Sequence, residues 1–212
     1  MRRMGMPLLF LTLMLKASAG TMLFREDFSR GLSNGWQNVA FFKKLTDYSV
    51  RPEGTNFYVL AVADQGCSAL THKLALAPGQ LKLRWRWRIE GVATNGSESE
   101  LDKFDHAARV FVAFDSFLGP PYSLNYLWAN VDPVGTVREH PKSSRAQLIM
   151  VESGNARAGQ WITEERDVTA DWQQRFPGKP MPKVVGVGLM TDGDSLGRTL
   201  TGAYAEIELR GE

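Results

Sequence analysis

The sequence predicts an all-β protein, an antiparallel β-sandwich with one short helix. Three observations carry this. Residues 81–90 alternate apolar and charged side chains with strict period two. At least six other short apolar, β-rich runs recur, with turn clusters between them. Only one stretch, Asp167 to Phe176, repeats its apolar residues at helical spacing. Many short strands separated by turns are the pattern of a sandwich, and period two marks a strand with one buried face.

The strands follow in chain order. Phe57 to Ala63 is apolar and β-rich. In residues 81–90, Leu81, Leu83, Trp85, Trp87 and Ile89 face one way, and Lys82, Arg84, Arg86, Arg88 and Glu90 the other. The tryptophan face is read as core. The cationic face is either a surface paired with carboxylates on neighbouring strands or a row that binds an acidic polysaccharide. Arg109 to Phe114 is apolar on both faces, as in a central strand. Leu124, Tyr126 and Trp128 alternate with Asn125, Leu127 and Ala129. Gln147 to Val151 and Val184 to Met190 are short apolar runs. Near the end, Ala203, Ala205, Ile207 and Leu209 are expected on one face, with Tyr204, Glu206, Glu208 and Arg210 on the other.

In the helix, Val168, Trp172 and Phe176 share one face, Asp167 caps the start and Pro177-Gly178 stops the end. Gly91 to Lys103 and Asp132 to Arg145 read as long loops, the places where binding residues usually sit on a rigid scaffold.

Composition excludes several classes. The chain has 212 residues, 43% hydrophobic and 23% charged, which is ordinary for a globular domain and rules out disorder and coiled coil. The first twenty residues hold Arg2, Arg3 and Lys16, an apolar run from Pro7 to Leu15, and Ala17-Ser18-Ala19. That order is a secretory signal peptide, residues 1–20, leaving one domain over 21–212 in the periplasm or outside the cell. The apolar run is far short of the ~20 residues that span a bilayer. Without those three cations, the 25 Lys+Arg and 23 Asp+Glu of the whole chain become 22 against 23. Nucleic-acid binding loses its electrostatic support. Cys67 is the only cysteine, so no internal disulfide staples the domain.

Four ordered segments carry a resemblance. They are Leu83-Arg-Trp-Arg-Trp-Arg-Ile89, Lys103-Phe-Asp-His-Ala-Ala-Arg-Val-Phe-Val-Ala-Phe114, Leu124-Asn-Tyr-Leu-Trp-Ala129 and Val187-Gly-Leu-Met-Thr-Asp-Gly-Asp-Ser-Leu-Gly197, the last followed by Ala203-Tyr-Ala-Glu-Ile207. In this order, from Phe24 to Leu209, the chain resembles a bacterial family of exported proteins, domain of unknown function 3047 (DUF3047). The family pattern pairs two Asp before Ala-Ala-Arg, where this chain has Asp105 and His106. The resemblance implies an exported sandwich of the jelly-roll or lectin-like kind and no established activity.

The candidate ligand-binding residues are Asp105, Arg109, Asn125, Tyr126 and Trp128, with core packing the other reading of the two aromatics. Aromatic rings stack on the apolar faces of sugars while amides and carboxylates bond the hydroxyls. Arg109 is either a carboxylate clamp or half of an internal ion pair with Asp105. Asp192 and Asp194, in a Gly-bounded turn, are either calcium ligands or self-capping turn residues. The three histidines lack zinc spacing, and no Gly-x-Ser-x-Gly elbow occurs. The expected function is binding of a carbohydrate or another cell-envelope ligand. A glycoside hydrolase or lyase on the same scaffold, or a structural envelope protein, are the alternatives.

Overall fold

The structure, a computed structural model, describes residues 20–41 and 44–211. The expected signal peptide therefore lies outside the described residues, apart from Gly20. In chain order the strands are β1 (Thr21–Glu26), β2 (Trp36–Ala40), β3 (Asp47–Glu53), β4 (Asn56–Asp64), β5 (Cys67–Leu76), β6 (Leu81–Ile89) and β7 (Arg109–Phe114). After them come β8 (Tyr122–Ala129), β9 (Val137–His140), β10 (Ser143–Ser153), β11 (Ile162–Asp167), helix α1 (Val168–Arg175), β12 (Val184–Asp192) and β13 (Thr199–Gly211).

The strands form two stacked sheets, a β-sandwich as the sequence predicts. Sheet A runs β11-β6-β13-β4-β3, and β1 joins β13 beside β4. Sheet B runs β2-β5-β12-β7-β8-β10-β9. All pairings are antiparallel except β10 with β8, which is parallel. Both sheets and the core between them are built within residues 21–211.

The core is aromatic where the sheets meet. Trp85 and Trp87 of β6 are fully buried, edge to face at 5.3 Å. Trp85 packs on Tyr126 at 5.3 Å and Trp87 on Trp128 at 5.7 Å, both from β8 in the opposite sheet. The expectation that Tyr126 and Trp128 touch a ligand is thereby corrected. Both are at 0% exposure, because the period-two face of β8 that carries them is turned to the core.

Strand β13 also departs from expectation. Its pairing with β6 slips by one residue between Ala205 and Glu208, and Glu206 has φ +50°. This β-bulge reverses the facing of everything before it. Tyr204 is buried in the core beside Ile207 and Leu209, whereas Ala203 and Ala205 lie outside that cluster. Helix α1 matches its predicted caps. Asp167 accepts a hydrogen bond from the Ala170 N–H, and the chain leaves the helix through Phe176 and Gly178, φ +75°. Trp172 seals one end of the sandwich against Phe114 and Tyr122.

The segment Asp132–Arg145, expected to be a loop, contains β9 and the start of β10. Gly91–Lys103 stays irregular apart from one short turn at Leu101–Lys103. Beyond it, Phe104 packs with Leu127, Ala129, Leu148 and Met150 on the outer face of sheet B.

Candidate functional site

A groove lies across the outer face of sheet A, where β6, β13 and β4 run side by side. Ala203 of β13 stands between Arg88 of β6 and Leu60 of β4 in the ladder. A small residue on the central strand between longer side chains on both sides leaves a trough. Its volume is about 380 Å³, lined by Tyr58, Leu60, Arg88, Glu90, Thr201 and Ala203 among others. That is within the range of small-ligand sites.

Trp161, just before β11, stands behind the lining residues Tyr58 and Arg88 and meets Tyr58 edge-on at 5.5 Å. The Arg88 guanidinium sits 4.6 Å from the Trp161 ring and 5.5 Å from the Tyr58 ring. Glu53, at the end of β3, ties the cluster: its carboxylate accepts from the Trp161 indole at 2.6 Å and from Arg88 at 3.1 Å. The two aromatic rings are therefore held in place by cation–π contacts and charged hydrogen bonds. Farther down the same face, Arg86 bonds Glu206 at 2.8 Å, and Arg84 lies 3.7 Å from Glu206 and 3.8 Å from Glu208. The arginine row is thus balanced across strands, the first of the two readings of that face. A smaller cleft follows, lined by Arg25, Asp27, Asn56 and Glu206.

The residues singled out from the sequence lie elsewhere. Asp105, Arg109 and Asp192 do converge, but as a buried lock. Asp105 is at 0% exposure and accepts from the backbone N–H groups of Ser195 and Leu196, at 3.0 and 2.7 Å. It therefore caps the β12–β13 turn and does not pair with Arg109. Arg109 is bonded to Asp192 at 3.2 Å, and Asp192 also accepts from the His106 N–H at 2.9 Å. Burial raises the Asp192 carboxyl, against the pull of Arg109 and His106. Glu98 joins from the Gly91–Lys103 loop, 3.6 Å from His106. Burial would raise its carboxyl, yet His106 and the N–H groups of Asn130 and Asp132 hold it down to about 2. Asn125 is 6% exposed, on the face of β8 opposite Tyr126, and donates to Ser123 and to the Gln147 carbonyl.

Cys67, Asp192 and Asp194 place their ligand atoms within 4.8 Å of one another. This set does not fit calcium, which takes six to eight hard oxygens. Arg109 occupies Asp192, and a thiol replaces a third oxygen. Burial pushes that thiol up, with Asp192 and Asp194 adding to the effect, so Cys67 is no activated nucleophile.

Sequence reasoning passed over Tyr58, Trp161 and Glu53. Tyr58 alternates with the core residues Val59 and Ala61, a period-two signal that placed it outside the core. Trp161 gave no signal of its own, since its position depends on β11 pairing with β6.

In class, the molecule is a two-sheet β-sandwich with a groove on the outer face of one sheet, lined by Tyr58 and backed by Trp161. It is similar to cellulose induced protein, Cip1, at 11% identity and a TM-score of 0.52, over 89% of this chain and 97% of that one. It is also similar to the family 11 carbohydrate-binding module from Clostridium thermocellum, solved in complex with a β-1,3-1,4-mixed-linked tetrasaccharide (14% identity, TM-score 0.45, 90% and 95% covered). A third is the xyloglucanase domain of NopAA, a type three effector from Sinorhizobium fredii, in complex with cellobiose (11% identity, TM-score 0.47, 91% and 100% covered). At 11% identity the likeness to Cip1 shows the fold. The chain belongs to the family described as Protein of unknown function (DUF3047), whose model matches residues 34–208. Comparison with curated proteins finds no match.

Proposed function

We propose that this protein is an exported glycan-binding domain that takes a saccharide into the groove on sheet A. The observation that carries the reading is the Tyr58–Trp161 pair, clamped by Arg88 and Glu53 beside a floor of Ala203 and Thr201. Ring surfaces take the apolar faces of pyranose rings, while Thr201, Arg88 and Glu90 supply donors and acceptors for hydroxyls. The Glu53 carboxylate is engaged by Arg88 and Trp161, which suits binding better than bond cleavage. Export rests on the basic, apolar and Ala-Ser-Ala order of residues 1–19.

The test is affinity electrophoresis and calorimetry against a panel of neutral and acidic polysaccharides, with wild type, Trp161→Ala and Tyr58→Ala. Retardation by at least one polysaccharide, weakened about ten-fold or more by each substitution, is the expected result; one lost aromatic contact accounts for that much. A wild type that no polysaccharide retards, or variants that bind as wild type does, overturns it. Mass spectrometry of periplasmic protein is expected to find a chain starting near Gly20 or Thr21.

A further inference from the structure

The end of the sandwich sealed by α1 carries a second feature, distinct from the groove. There the β7–β8 connection, Asp115 to Pro121, projects Phe117 at 99% exposure and Leu118 at 72%. The loop is built to hold this shape. Arg145 Nη1 bonds the carbonyls of Leu118 and Pro120 and the Ser116 hydroxyl, which itself donates to the Leu118 carbonyl. Two large apolar side chains held out into water by a clamped backbone are a docking element.

The charge around the tip says what it docks to. Arg145 and Lys179 lie 5.0 Å from the Tyr122 ring at the base of the loop. Lys183 follows on the strand entry that bonds Asp115, and Lys142 caps the adjoining β9–β10 turn. Among the described residues, none of these four cations has a carboxylate partner, whereas Arg84, Arg86 and Arg88 on sheet A each have one. Asp115, the one acid of the loop, accepts from the Ser116 N–H. Apolar tips ringed by cations without a carboxylate partner, and by an aromatic, complement a bilayer whose headgroups are anionic.

We propose that Phe117 and Leu118 insert into the interface of an anionic membrane, with Lys142, Arg145, Lys179 and Lys183 on the lipid phosphates. The groove, at Arg88–Glu90 of β6, lies toward the other end of that strand, since Leu81 bonds Thr169 of α1 at this end, and it stays open to a glycan.

The test is co-sedimentation of the folded domain, residues 20–212, with vesicles of phosphatidylcholine alone or mixed with phosphatidylglycerol. Wild type is expected to bind the phosphatidylglycerol vesicles, less so as salt rises. Phe117→Ser/Leu118→Ser removes the insertion and should weaken binding at least ten-fold, from the apolar area lost. Lys179→Glu/Lys183→Glu should weaken it by roughly 25-fold or more, about five-fold for each cation lost. Both pairs are exposed, so unchanged melting temperatures confirm folded variants. No binding of wild type to phosphatidylglycerol vesicles overturns the proposal, as does a tip variant that binds like wild type. A wild-type dimer on size exclusion that Phe117→Ser/Leu118→Ser dissolves also overturns it, since the tip then joins two copies. None of these outcomes depends on glycan binding.

Discussion

Replacing Glu164 by Gln should stabilise the protein in alkali and leave it unchanged in acid. Glu164 lies on β11, opposite Trp85 in the ladder with β6, and one of its oxygens is buried with no partner. Burial and the nearby Glu152 carboxylate lift its carboxyl from 4.5 to about 7, against the pull of Trp87 and Arg157. The folded state therefore prefers the protonated acid. Below pH 4.5 both states hold the proton and the full stability is present. Between 4.5 and about 7 the unfolded chain releases it first, so stability falls as pH rises. At 1.36 kcal/mol per pH unit the interval is worth ~3 kcal/mol. Partial exposure to water reduces the expected effect to about 2 kcal/mol. Glutamine keeps the shape of the protonated acid at every pH. Guanidinium denaturation of wild type and Glu164→Gln at pH 4 and 8.5 reads the difference directly. Equal stability at pH 4 and a gain of about 2 kcal/mol for the variant at pH 8.5 are expected. A difference that does not grow with pH, or a variant less stable at pH 8.5, refutes the reasoning.

Three further outcomes follow from the geometry. Trp87→Ala should cost about 3–5 kcal/mol through lost burial and an unfilled cavity, and Arg86→Ala far less, as read by equilibrium denaturation. Asp192→Asn leaves Arg109 buried without its counter-charge and should cost about 3–5 kcal/mol, while millimolar calcium should not move the wild-type melting temperature. His140 is held neutral by burial and by Arg109, down to about 4 from an ordinary 6.5. Stability from that residue is present above pH 6.5 and is lost as pH falls toward 4; an NMR titration that places His140 near 6.5 would remove the argument.

What the sequence disclosed depended on whether the signal was local. The β6 alternation, the bounds of β7 and both caps of α1 follow from neighbours along the chain, and the structure matches them. The facing of Tyr204 did not follow, because one bulge at Glu206 shifts the period. The edge strands β3 and β9 carry few apolar residues and show no alternation strong enough to read. For the site, the aromatic side chains of β8 were legible as a face, but which face met the core was not. Tyr58 and Trp161 sit on β4 and beside β11, on opposite sides of β13 and β6. Only the strand order brings them together, and strand order is a property of long-range pairing.

Strand β13 is hydrogen-bonded to β6, β4 and β1, so three strands of sheet A depend on one neighbour that follows all of them in the chain. β1 reaches farthest along the chain: the partners of Thr21 to Glu26 are Ile207 to Gly211. Closing so long a loop is entropically expensive and slow. Sheet A is therefore completed only when β13 docks, and a change that delays this docking leaves the facing edges of β6 and β4 unpaired and open to other strands.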